Sequence, residues 1–150
     1  MKVYPSISLF LLAAAMIGCS SSVGHEEQEA GRMLGTARVL LAAKEYNAAR
    51  DTIFSIRSQH PTALQARRAA ILTLDSVELM ETRDSLAAYE EQLQAEREAF
   101  KQMLPRENGA TNEAYYEQQR LVYQMEQHYD ELCAKVKFYL RKIDIDQTEQ

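Results

Sequence analysis

The stretch VYQMEQHYDELCAKVKFYLRKI, residues 122–143, decides the fold class. Val122, Met125, Tyr129, Leu132, Val136, Tyr139 and Ile143 follow one another in alternating steps of 3 and 4. A mean step of about 3.5 residues lines these side chains along one seam of an α-helix and scatters them over both faces of a strand. Tyr115 and Gln118 carry the register backwards, giving a heptad seam of three or more repeats.

A narrow apolar seam needs a partner. Upstream, Leu72, Leu79, Leu86, Leu93 and Phe100 recur every seventh residue. Their companions three places on are Asp75, Thr82, Tyr89, Glu96 and Met103, so one apolar line is clear and the second is mostly polar. No Gly or Pro interrupts Thr62 to Leu104, which predicts one helix of about 42 residues, roughly 63 Å long. The segment from Pro105 to Thr111, with Asn108-Gly109, is the one strong break that follows Pro61. The short connection favours an antiparallel long helical hairpin over 62–143. A homo-oligomer joined through the 122–143 seam is the competing arrangement. Residues 144–150 read as a polar, frayed tail.

Before the long helix, Ala30, Leu34, Ala37 and Leu41 mark one face of a helix over 26–43. Lys44 to Asn47 reads as a connection with Asn47 as N-cap. Ala49, Ile53 and Ile56 mark the next helix, which His60-Pro61 ends because the residue before proline is pushed out of the helical region. Thr62-Ala63-Leu64-Gln65 reads as a capping box opening the long helix. Tyr46, Ala49, Ile53, Ile56 and Pro61 keep the spacing of the second helix of a tetratricopeptide repeat, with Met33, Ala37 and Leu40 at places of its first helix. The hairpin over 30–63 therefore resembles one such repeat. It departs at Thr36, where that family usually has Leu, and at Ile56, where a smaller residue is common.

At the other end, Lys2 precedes an unbroken apolar run from Leu9 to Ile17. At about 1.5 Å per residue the run covers under half of a roughly 30 Å hydrocarbon core, so it reads as the apolar region of an export signal. Met16-Ile17-Gly18-Cys19 resembles the lipobox of bacterial lipoproteins, with Met16 standing where that family prefers Leu. The resemblance implies a signal peptide over 1–18, cleavage before Cys19, acylation of the Cys19 thiol, and a protein held by lipid on a membrane of the bacterial envelope. Ser20 after the cysteine resembles the pattern of outer-membrane sorting, with the body on the periplasmic or the surface face. Residues 19–25 read as a flexible tether. The acidic run His25-Glu26-Glu27-Gln28-Glu29 resembles surface-sorting patches, although acidic residues also suit a helix start.

The full chain has 17 basic and 22 acidic residues, a net charge of −5. That balance, with no basic cluster interleaved with aromatics, argues against a nucleic-acid partner. Five glycines, three prolines and few β-branched runs point to an all-α chain of about 80% helix or more. If Cys19 carries lipid, Cys133 has no partner within the chain and reads as a buried small hydrophobe.

Catalytic chemistry is not visible. His25, His60 and His128 fall in a tether, a loop and a flanking heptad position, and none has a second ligand at helical spacing. The Glu26/Glu27, Glu90/Glu91 and Glu96/Glu98 pairs read as solvated faces. No glycine-rich loop offers a phosphate cradle. No cofactor and no metal are expected, and the chain is expected not to be an enzyme. Tyr129 and Tyr139 fit the seam as core, whereas Tyr116 and Tyr123 lie off it and are the candidates for a partner-facing patch. The reading is a lipid-anchored helical interaction or scaffold module with an unidentified protein partner. The alternative is a soluble periplasmic peptide-binding or chaperone-like protein.

Overall fold

The computed structural model describes residues 18–103 and 113–148. They form four helices: α1 (Gly18–Ala42), α2 (Tyr46–Gln59), α3 (Leu64–Gln102) and α4 (Glu113–Thr148). Helix makes up 93% of these residues and no strand occurs among them, so the all-α expectation is met. The chain divides into two compact units, one reaching to Leu74 and one starting at Asp75, with α3 contributing to both.

In the first unit α1 and α2 pack as a hairpin, and the start of α3 joins them. Ala30, Leu34 and Ala37 of α1 are buried with Ala49, Ile53 and Ile56 of α2 and with Ala63, Ala66 and Ala70. The face expected on α2 is therefore the buried one. Alanine at these positions lets helix backbones approach closely, and Ile53 and Ile56 fill the space between them. Burying each isoleucine contributes about 1.5–3 kcal/mol.

The turn between α1 and α2 differs from its expected form. The Glu45 N–H reaches the Leu40 carbonyl at 2.9 Å and the Lys44 N–H the Leu41 carbonyl at 2.9 Å, which is the paired bonding of a Schellman end. Lys44 sits in the left-handed region with φ 62. This turn is compact enough that α2 starts at Tyr46 with Glu45 as its N-cap, and Glu45 makes no side-chain cap. Asn47, expected as the cap, lies inside the helix, where its Oδ1 accepts from Arg50 Nη1 at 2.8 Å.

Two other boundaries move outward. Helix α1 begins at Gly18, so the backbone of 19–25 is helical instead of a tether. Serine costs only about half a kcal/mol in a helix and no proline lies in this segment, so the helix propagates through it. Helix α4 runs to Thr148, taking in most of the expected tail 144–150, because no helix breaker follows Gly109 and the half-buried face continues to Asp146.

The start of α3 is also capped differently. Thr62 Oγ1 donates to Glu26 Oε2, so Thr62 does not close a capping box. The Glu27 carboxylate accepts from the Ala66 N–H at 2.6 Å and the Gln65 N–H at 3.4 Å. A negative charge from α1 thus satisfies the free N–H groups at the positive end of α3. Two of the acidic residues read as a solvated or sorting patch are occupied in this clasp.

In the second unit α3 from Asp75 to Phe100 and α4 from Tyr115 to Lys142 pair antiparallel, as expected from their seams. Leu79, Leu93 and Val122 are buried, and Leu86, Phe100, Met125, Tyr129, Leu132, Val136, Tyr139 and Ile143 are half-buried. Of the polar companion line, Asp75 and Thr82 are buried at 3% and 4% exposure, Tyr89 and Glu96 are half-buried, and Met103 is exposed. Hydrogen bonds of Asp75 Oδ1 to Lys142 and of the Thr82 hydroxyl to the Glu78 carbonyl accompany that burial.

Candidate functional site

No described helix is long and apolar enough to cross a membrane. Cys19, the expected lipidation residue, lies in the first turn of α1. The expected signal peptide 1–18 lies outside the described residues apart from Gly18, and so do 104–112, 149 and 150.

In the polar seam of the second unit, side-chain hydrogen bonds join α3 to α4. Lys142 Nζ donates to Asp75 Oδ1 at 2.6 Å. Only 5% of the Asp75 side chain is exposed, against 40% for Lys142. The hydrogen bond to Asp75 raises the Lys142 pKa above its ordinary value of 10.5, against a smaller opposing effect of burial. Asp75 Oδ2 is buried and has no hydrogen-bond partner among the described residues. Further along, Gln118 Nε2 donates to Glu96 Oε2 at 2.6 Å. Arg97 grips Glu126 Oε1 through Nε at 3.0 Å and Nη2 at 2.7 Å. Thr82 turns its hydroxyl back to the Glu78 carbonyl at 2.7 Å. The expectation of solvated glutamates therefore fails at Glu96, which faces α4, and holds at Glu98, which pairs only with its neighbour Lys101.

The aromatic residues divide as the heptad register requires. Phe100 stacks on Tyr115 with centroids 5.0 Å apart, and Tyr115 meets Tyr116 edge-on at 5.6 Å. Tyr116 and Tyr123 are 60% and 62% exposed and lie seven residues apart on the outer side of α4. A shallow depression is lined by Glu113, Tyr116, Glu117 and Arg120. It takes in Tyr116 and leaves Tyr123 outside, so the two candidate residues share a face and not a pocket.

The histidines stay apart. His25 is exposed, 3.8 Å from Glu29. His128 meets Tyr89 edge-on at 4.8 Å and lies 3.3 Å from Glu131. His60, placed in a loop from sequence, is buried at the end of α2, and its Nδ1 has no hydrogen-bond partner among the described residues. Among the described residues no three His, Cys, Asp or Glu side chains gather in a way that would hold a metal. Cys133 is half-buried with a free thiol. A hydrogen bond with it, helped by the nearby Glu90 charge, pushes the Tyr129 hydroxyl pKa up.

Sequence reasoning missed the Asp75–Lys142 pair and the Glu27 clasp. Both join residues far apart in the chain, and no local spacing signals them. The one available hint was an aspartate three places from a leucine of the apolar line, at a heptad position that packing buries and where a charge calls for a cation nearby.

Comparison with known proteins finds no family model, no curated protein and no solved structure that matches this chain.

Proposed function

We propose that this chain is a lipoprotein of the bacterial envelope, held on a membrane through Cys19 and acting as a non-catalytic helical interaction module. The observation that carries the reading is the order of Lys2, the apolar run Leu9 to Ile17 and Gly18-Cys19. Multiple acyl chains on one residue anchor far more firmly than a single chain, at about 0.8 kcal/mol per buried methylene. Ser20 supports the outer membrane as the destination. The 30–63 hairpin is read as a tetratricopeptide-like module, and the exposed Tyr116 and Tyr123 are its companion contact surface for a protein partner.

The test is to express the full chain and follow acyl labelling and membrane fractionation. Cys19→Ala, or globomycin treatment of the parent, abolishes the label and releases the protein. A membrane fraction unchanged by both would remove the anchoring reading. The exposed tyrosine pair also fits the second reading, a soluble periplasmic protein that binds client peptides. A mature chain without an acyl group that binds exposed-helix peptides would favour it.

A further inference from the structure

We propose that the α3/α4 pair has two registers one heptad apart, and that Asp75 defines both, pairing with Lys142 in the register described above and with Lys135 in the other.

The apolar lines do not by themselves choose a register. Leu72, Leu79, Leu86 and Leu93 are identical residues at intervals of seven, so a slip of seven presents leucine again at every one of these places except the first, where Gln65 replaces Leu72. On α4 the same slip puts Tyr115, Val122, Tyr129 and Val136 where Val122, Tyr129, Val136 and Ile143 stood. Such a seam tolerates displacement by one heptad, about 10 Å along the helix axis.

Asp75 does not tolerate an arbitrary displacement. Its side chain is nearly all buried, and one carboxylate oxygen already lacks a partner. A cation must therefore reach the other oxygen. Lys142 immediately precedes the seam residue Ile143, and Lys135 immediately precedes Val136, so the two lysines occupy the same heptad position. Lys135 lies over the Tyr139 ring, 5.9 Å from its centroid. Sliding α4 by seven residues in one direction brings Lys135 to Asp75. No further lysine follows Lys142 in the sequence, so sliding α4 in the other direction brings no lysine to Asp75. One alternative register is thus supplied with a cation, and the opposite one is not.

The remaining contacts explain why the described register is preferred. Arg97 bonds Glu126 twice, Gln118 bonds Glu96, and Tyr89 meets His128 edge-on. After the slip Arg97 would face Gln119 and Tyr89 would face Leu121, so these contacts are lost while the Asp75 ion pair is remade. The described register thus has the Asp75–Lys142 and Arg97–Glu126 ion pairs, and the second keeps an ion pair at Asp75 through Lys135 while losing that of Arg97.

The experiment uses the full chain with Cys19→Ser and Cys133→Ser, so that two introduced thiols are the only ones. Tyr89→Cys with His128→Cys reports the described register, and Tyr89→Cys with Leu121→Cys reports the slipped one, each read as the yield of dibromobimane bridging. With both lysines present the 89/128 pair bridges efficiently and the 89/121 pair poorly. Lys142→Ala raises the 89/121 yield at least about tenfold, and adding Lys135→Ala removes that gain. Lys142→Arg, which keeps the cation, leaves the parent pattern. An 89/121 yield that stays low in Lys142→Ala would overturn the proposal, as would a gain that persists without Lys135. Loss of helical circular dichroism in Lys142→Ala also overturns it, because Lys135 is proposed to rescue the fold.

Discussion

In the first unit Ala30, Ala37, Ala49, Ala63 and Ala70 retain no exposed surface, and Ile53 and Ile56 are sealed between them. Along α4 the only buried residue among those described is Val122, and the rest of its seam is half-exposed. Both regions are antiparallel helix pairs, but the first has the start of a third helix to close against. That allows small residues, close backbones and a dry interior. Two long helices alone cannot enclose their seam, so water reaches its edges and polar side chains can sit within it. Specificity then comes from which charges meet, whereas in the first unit it comes from which shapes fit.

The sharpest way to break this contrast is to remove volume from each core. Ile53→Ala should cost about 3–4 kcal/mol and melt the first unit, because little around it can relax. Leu93 is only 1% exposed, yet Leu93→Ala should cost less, about 2 kcal/mol, because the open seam can close or admit water. Urea unfolding, with hydrogen exchange to show which helices open, measures both. Equal losses would mean that the two interiors are equally rigid.

The clasp is next in size. Glu27→Ala leaves two N–H groups at the start of α3 without their carboxylate and should cost about 1–2 kcal/mol. Faster exchange at Gln65 and Ala66, with the 89–128 region unaffected, would confine the effect to the first unit. Lys44→Gly should have the opposite sign. Relief of the left-handed φ gains up to about 1 kcal/mol, less the greater freedom of glycine in the unfolded chain.

The smallest effect separates the units by pH. The Lys142 pKa is raised in the folded protein, so folding favours the protonated amine. That stabilisation is fully present below the ordinary lysine value and is lost as pH rises through the folded one. Titration above pH 10.5 should loosen α3 and α4 in the parent and not in Asp75→Leu with Lys142→Leu. Identical alkaline profiles would show that the pair contributes nothing to stability.

Periodicity made much of this legible. The steps of 3 and 4 from Tyr115 to Ile143 identified the face of α4 that packs, and Ala49, Ile53 and Ile56 identified that of α2. Local readings failed where a distant partner or a tighter turn competed. Thr62 looked like a cap for its own helix until Glu26 took its hydroxyl, and Asn47 looked like a cap until the Lys44 turn moved the start of α2 ahead of it. Glu96 looked solvated until Gln118 reached it.

Helical character, the two breaks at Pro61 and after Leu104, the identity of the packing faces and the Gly18-Cys19 motif all reside in the sequence itself. They depend on residues within a few turns of one another, where spacing alone decides geometry. The capping of α3 by Glu27, the burial of His60 and the pairing of Asp75 with Lys142 were decided by tertiary structure. A buried charge or a bare helix end requires a partner of a given kind, and only folding brings the particular residue from dozens of positions away.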